Sequence, residues 1–340
     1  MNTILVRKLP TPTASFRIRR VPFLGRFYEY VFCSQSTGKI EMWSKRILRK
    51  IFPAYYRLCG SSTGEFEFQR QGQRSEIQFN ARNTEFCILS DTLFKNGYEI
   101  EVAALLDVLL PEGGTFFDVG SNWGYHTLLA AGSRSKLTVH AFEPTPETFK
   151  DLVACVEQSG LAGMVTCNNF ALSSNDGKAF IKLPEGLHSG GAQVSSDGGV
   201  ASINTRRLDS LDLPKPDFIK MDVEGHEIEV VKGGQNTLKL ARPYLIFESK
   251  PNHLQPDKVL DIFFFLARLG YNFFVPAIQR EPRARNFLIP AGWLPAANDD
   301  GLALIPFIPE TRLLCLSEFN VFACHESRLP ELMTKFKPWP

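Results

Sequence analysis

The clearest signal along the chain is a change of period. Between residues 65 and 79 apolar and polar positions alternate, Phe66 and Phe68, then Ile77 and Phe79 beyond Gln71-Gly72-Gln73, which predicts two short paired strands. From Glu99 the spacing becomes helical, with Val102, Leu105, Leu106, Leu109 and Leu110 on one face and Pro111-Glu112-Gly113-Gly114 as the stop. Strands are then expected at 115–119, 137–142, 164–170, 217–221, 244–247, 271–275 and 318–323. Helices are expected at 125–131, 146–159, 227–240 and 256–269. Alternating elements of these lengths predict an α/β fold, a parallel sheet with helices on both faces. Between Ser173 and Leu211 the helical period disappears; 179–183 and 201–205 read as strands around a Gly/Ser-rich stretch, an inserted hairpin or lid.

Upstream of residue 63 charge becomes the informative property. Residues 1–60 hold twelve Lys/Arg against Glu29 and Glu41, whereas the whole chain sums to +2. Trp43, Ile47, Ile51 and Tyr55 recur every four residues, predicting a basic amphipathic helix within 41–58. The segment reads either as a solvated extension or as a docking element making peripheral contact with an anionic membrane; a specific nucleic-acid partner is not expected. The expected organisation is a basic extension at 1–62, the α/β domain at 63–326 and a tail at 327–340.

With 44% hydrophobic and 22% charged residues, collagen-like and disordered classes are excluded. No apolar run approaches the ~18 to 20 residues of a membrane span. Arg7, Lys8, Arg17, Arg19 and Arg20 precede no apolar leader block, so a cytoplasmic location is expected. Seven scattered cysteines without a C-x-x-C pair suit reduced thiols better than a zinc or redox site.

Candidate chemistry concentrates after the first strand of the alternating region. Thr115-Phe116-Phe117-Asp118-Val119-Gly120-Ser121-Asn122-Trp123-Gly124-Tyr125 reads as strand, glycine turn and helix start, the arrangement that places a ligand outside the carboxyl end of a strand. Gly120 and Gly124 are spaced G-x-x-x-G, so the dinucleotide fingerprint is absent, which disfavours an NAD(P)-dependent oxidoreductase. Asp118 would repel a pyrophosphate but suits a cationic amino group. S-adenosyl-L-methionine carries that group and no phosphate. Glu143, in Phe142-Glu143-Pro144, follows Gly120 by 23 residues, a spacing at which a carboxylate accepts from ribose hydroxyls.

These segments, with Asn169 to Leu172, Asp222-Val223-Glu224-Gly225-His226-Glu227 and Lys232-Gly233-Gly234, resemble the FkbM family of S-adenosylmethionine-dependent methyltransferases. The resemblance is strong over 97–250 and weak onward to 326. It implies a Rossmann-like class I methyltransferase fold with a mostly parallel seven-stranded sheet, and O-methylation, often of sugar hydroxyls or polyketide products. It implies that Asp118, Gly120, Ser121, Asn122 and Gly124 line the methionine end of the cofactor, that Glu143 holds the ribose, and that Asn169, Phe170 and Ala171 lie near the adenine. Ser121-Asn122-Trp123 replaces the family's more usual Ala-Asn-Ile, a change expected to alter packing more than chemistry.

Methyl transfer from a sulfonium depends chiefly on alignment and exclusion of water, with a base assisting an alcohol acceptor. Asp222 and Glu224 are the candidates for base or acceptor-positioning group; a structural role, and Mg²⁺ ligation, are the alternatives, though no metal is predicted. His226 is a further candidate base. Glu227 suits the first turn of a helix. His188 lies in the Gly-rich loop, from which it would reach an acceptor on closure, and Glu248 ends a strand at the same edge, able to bind substrate hydroxyls or to cap. The expected acceptor is a hydroxyl on a carbohydrate, glycolipid or related natural product. A non-catalytic cofactor-binding module that docks through the basic N-terminus is the competing reading.

Overall fold

The computed structural model describes residues 3–9, 12–20, 63–80, 98–182, 193–195, 198–199, 201–251, 256–278, 288, 292–295, 301–315 and 317–339. The first half contains β1 (Leu5–Lys8), β2 (Ala14–Arg20), β3 (Thr63–Arg70), β4 (Gln73–Asn80), α1 (Ile100–Leu109), β5 (Thr115–Val119), α2 (Tyr125–Gly132), β6 (Thr138–Phe142), α3 (Pro146–Gln158) and β7 (Val165–Asn168). There follow β8 (Ala171–Leu172), β9 (Gly177–Lys182), β10 (Gln193–Ser195), β11 (Ala201–Arg206), β12 (Phe218–Met221), α4 (Glu227–Gly233), α5 (Gln235–Ala241) and β13 (Tyr244–Ser249). The chain closes with α6 (Pro256–Arg268), β14 (Tyr271–Ile278), β15 (Gly301–Phe307), β16 (Phe319–His325), α7 (Leu329–Lys335) and β17 (Lys337–Pro338).

The alternating region builds a sheet whose order is β17-β1-β15-β14-β16-β13-β12-β5-β6-β7. Strands β7, β6, β5, β12 and β13 are mutually parallel. Neighbouring residues of these strands enter opposite cores. Phe116, Val139, Phe218, Tyr244 and Ile246 pack on one face with Val102, Leu105, Leu128 and Leu152 of α1, α2 and α3. Phe117, Ile219, Met221, Leu245 and Phe247 pack on the other with Val230 of α4 and Phe263 and Leu266 of α6. Burial on both faces is why these strands read as mainly apolar runs.

The expectation of a mostly parallel seven-stranded sheet is corrected: the sheet has ten strands and is mixed. β16 runs antiparallel to both β13 and β14, and β15, β1 and β17 continue antiparallel to the edge. Both ends of the chain therefore enter the sheet, since Leu5–Lys8 pairs with Leu304–Gly301 on one side and with Pro338 and Lys337 on the other. Leu5, Leu332 and Phe336 are fully buried in the same core as Phe116, so pairing and packing cross the boundaries expected at 62 and 326. β2 likewise joins β3 and β4 in a three-stranded antiparallel sheet.

The expected helix at 227–240 is two, α4 and α5, meeting at Gly234, where a Cβ would lie 2.9 Å from Leu208. The inserted hairpin exists as β9 and β11, joined by β10 and β8 in a four-stranded sheet over a small core of Ala171, Ala179, Ile181 and Ile203. The amphipathic helix expected at 41–58, and His188, lie outside the described residues.

Candidate active site

After β5 the chain steps outward through β6 and β7, then returns to place β12 on the other side of β5. The carboxyl ends of β5 and β12 therefore flank the point where strand order reverses, the place at which open α/β sheets leave a crevice. Its geometry depends on Gly120. This residue has φ +75°, and a Cβ on it would lie 1.9 Å from the Asp222 carbonyl oxygen, so the two loops meet backbone to backbone. The turn is tied down by Gly120 and Ser121, whose N–H groups both donate to the Phe142 carbonyl at 3.0 Å. Asn122 is also left-handed, at φ 49°, and its Oδ1 accepts from the Trp123 N–H at 2.8 Å. At Gly124, φ +96°, a Cβ would lie 2.8 Å from Leu152 Cδ1. Among the described residues Ser121 Oγ is buried with no hydrogen-bond partner.

Glu143 lies beside that turn at the end of β6. Its Oε2 accepts from the Asn122 N–H at 3.1 Å and its Oε1 from the Thr145 N–H at 2.8 Å. Burial nevertheless pushes its carboxyl up to about 7. Asn169 donates through Nδ2 to the carbonyls of Glu143 at 2.9 Å and Pro144 at 3.2 Å, and the Phe170 ring meets Phe142 edge-on. Asn169 and Phe170 thus adjoin Glu143. Ala171 does not line the crevice with its side chain, which packs in the core of the β8–β11 sheet.

Asp118 differs from its expected setting. It is 1% exposed, with Oδ2 accepting from Thr127 Oγ1 at 2.6 Å and Oδ1 at 3.8 Å from Lys220 Nζ. Its carboxyl is raised by burial, an effect that Lys220 opposes. Lys220 is the register partner of Asp118 on β12, and its ammonium also reaches Asp222 Oδ2 at 3.4 Å. Burial alone would lower the ammonium; Asp222, Asp118 and Glu99 outweigh it and hold the proton on firmly. One buried cation therefore links the turn after β5 to the loop after β12.

That loop and the end of β13 bring Asp222, Glu224 and Glu248 together, with carboxylate oxygens within 4.8 Å of one another. Such a spacing suits a divalent cation, yet the Lys250 ammonium already contacts Glu224 Oε2, and Glu248 Oε2 at 3.2 Å. Glu224 is left-handed at φ 56°. Burial raises its carboxyl, and burial followed by the nearby Asp222 raises Glu248 to about 8. Glu227 is buried and accepts from the Val223 and Gly225 N–H groups at 3.3 Å, shaping the loop rather than facing the crevice. His226 is turned to Ser173, whose Oγ lies 3.0 Å from Nε2, and burial lowers its imidazole.

Three groups escaped the reading of the sequence. Lys220 had a signal, a lysine inside the apolar run Phe218-Ile219-Lys220-Met221. Lys250 follows Ser249, the last residue of β13, and its ion pair with Glu248 is local, but the one with Glu224 spans 26 residues. Glu99, just before α1, has Oε1 held by Asn320 Nδ2 at 2.9 Å and Oε2 at 3.6 Å from His126 Nε2. Its neighbours come from β16 and α2, which no local pattern predicts.

Residues 118–273 match the Methyltransferase FkbM domain model. Over 146 residues, 42% of this chain, the sequence is 38% identical to hexuronic acid methyltransferase AglP of Haloferax volcanii. The chain spans 58% of that relative's length. Among solved structures, methyltransferase FkbM from Methylobacillus flagellatus KT is similar at 17% identity and TM-score 0.38, over 57% of this chain and 43% of that one. A SAM-dependent O-methyltransferase from Thermotoga maritima is similar at 14% identity and TM-score 0.35, over 66% and 63%. Through residues 118–273, this chain is similar to the methyltransferase FkbM domain.

Proposed function

We propose that the protein transfers a methyl group from S-adenosylmethionine to a hydroxyl of a carbohydrate or glycolipid. The observation that carries this reading is the abutment of Gly120 on Asp222 at the switch point of a chain whose residues 118–273 match a methyltransferase domain. The residues fit the cofactor: the turn is stripped of Cβ where the loops meet, and the buried Ser121 Oγ awaits a partner. When bound, S-adenosylmethionine supplies an already activated methyl group. Glu143 would accept from the ribose hydroxyls, with Asn169 and Phe170 bordering the base. Ser121 and Asn122 would meet the methionine end, where Asp118 orients the turn from behind through Thr127 and Lys220.

Asp222 is the best-placed base for the acceptor hydroxyl, because its side chain is 27% exposed and Lys220 fixes it from the buried side. Glu224 and Glu248, bridged by Lys250, would hold neighbouring hydroxyls of a polyhydroxylated acceptor. The relative's printed name, a hexuronic acid methyltransferase, supports a sugar acceptor. Asp222→Asn should lower methyl transfer to a glycan acceptor by about 10²-fold or more while leaving S-adenosylhomocysteine affinity within about threefold. Unaltered turnover would exclude Asp222 as the base.

Among the described residues no helix is long and apolar enough to cross a membrane. Peripheral docking through the basic segment remains part of the proposal. Because β1 and β2 belong to the sheets, the suitable test reverses Lys45, Arg46, Arg49 and Lys50 to Glu rather than truncating the chain. Sedimentation with anionic vesicles should be lost, and unchanged sedimentation rejects the docking role.

A further inference from the structure

We infer that the crevice discriminates by charge at sulfur, holding the sulfonium donor S-adenosylmethionine more tightly than the uncharged thioether S-adenosylhomocysteine, and that Glu99 is chiefly responsible. The inference rests on the methyltransferase reading above. Glu99 occupies the N-cap of α1 with φ 45°, a conformation costly for a residue with a side chain, and it makes no capping hydrogen bond in return. Helix stability therefore does not explain its placement. Among the described residues its Oε2 is buried without a hydrogen-bond partner, and so is His126 Nε2, 3.6 Å away. His126 supplies no counter-charge, because burial and then Lys220 keep its imidazole neutral.

Charges around the crevice are unequal. Lys220 lies between Asp118 and Asp222, and Lys250 between Glu224 and Glu248. Each ammonium thus faces two carboxylates, and Glu99 is a further acid that shares the charge of Lys220 with Asp118 and Asp222. Burial, opposed by Lys220 and reinforced by Asp222, lifts Glu99 to about 7, as expected of an acid short of a counter-ion. A sulfonium is permanently positive and cannot donate a hydrogen bond, so a nearby partly desolvated carboxylate is the group that stabilises it. A thioether in the same place gains nothing from that charge. The alternative ligand, a hydroxyl donating to Oε2, would bind without regard to charge at sulfur.

Calorimetric titration of the full chain with S-adenosylmethionine, S-adenosylhomocysteine and an analogue bearing a protonated amine in place of the sulfonium tests this. The two cations should bind at least about tenfold more tightly than the thioether, a difference of ~1.4 kcal/mol. Glu99→Gln, which keeps an oxygen for Asn320, should bring the ratio within about threefold by weakening the cations alone, and Glu99→Asp should restore most of it. The wild-type ratio needs no variant, so a misfolded Glu99→Gln protein leaves the charge preference testable, with Glu99→Asp reporting on the residue. Equal affinities in the wild type overturn the inference while sparing the methyltransferase reading. No binding by any of the three overturns both. A preference that survives in a folded Glu99→Gln protein removes Glu99 from it.

Discussion

Replacing Gly120 by alanine tests the contact on which the crevice depends. Two costs are separable. The first is conformational: at φ +75° a Cβ meets the following carbonyl, a strain of roughly 1–2 kcal/mol. The second is steric: the new carbon would lie 1.9 Å from the Asp222 carbonyl oxygen and 2.8 Å from its carbonyl carbon, with Val223 Cγ1 at 3.2 Å. Reaching ordinary contact requires the β5 and β12 loops to part by more than about 1 Å, which overpacking data place at a further ~1–3 kcal/mol. The expected total is about 2–5 kcal/mol by urea denaturation, together with loss of S-adenosylhomocysteine binding, because the displaced turn also carries Ser121 and Asn122. Gly113→Ala is the control, for Gly113 has φ +73° but nothing within 4 Å of its would-be Cβ, so it bears the conformational cost alone. Equal destabilisation by the two variants, with cofactor affinity retained in both, would refute the claim that these loops meet backbone to backbone.

Burial raises Glu99, Glu143 and Glu227 each to about 7 from an ordinary 4.5, so the native protein keeps protons that the unfolded chain has released. Stability should therefore fall as pH rises from about 4.5 to 7, by up to roughly 3 kcal/mol per group, and level off above about 8; thermal melts that rise across this window would contradict it. Trp123 lies within 6 Å, centroid to centroid, of Phe16, Phe66 and Tyr125, so Trp123→Ile should cost about 2–4 kcal/mol in denaturant melts while sparing the methyl-transfer step at saturating substrate. With Lys250 already bridging Glu224 and Glu248, methyl transfer should survive a chelator; abolition by EDTA and recovery with Mg²⁺ would assign the trio to a metal. Lys250→Met should destabilise by about 1–3 kcal/mol, since it strands two half-buried carboxylates.

The Trp123 contact also explains a departure visible in the sequence. A tryptophan stands where the resemblance to the FkbM family implies isoleucine, and it meets Phe16 and Phe66 of the three-stranded sheet formed by β2, β3 and β4. Phe68 of the same sheet lies so close to α2 that a Cβ on Gly132 would come within 2.5 Å of its ring. The large residue is thus accommodated by an element that lies outside the matched residues 118–273.

What the sequence determined by itself was whatever neighbouring residues enforce on one another. The alternation of strand and helix, the glycine turn with its left-handed Gly120 and Gly124, and the place of Glu143 beyond β6 are local consequences of periodicity and conformational preference, legible in single stretches of chain. Strand pairing was not local in this sense. Leu5–Lys8 enters the sheet only because Gly301–Leu304 lies beside it, and nothing within Leu5-Val6-Arg7-Lys8 specifies a partner some 300 residues away. The charge balance of the crevice was decided the same way. Asp118 reads as a strand-end acid that would face a ligand, and only the register with β12 turns it onto Lys220 and out of solvent. His226 reads as a base beside two acids, until packing turns it to Ser173. Ionisation and accessibility belong to the environment that tertiary contacts create, and a sequence names the groups without fixing their surroundings.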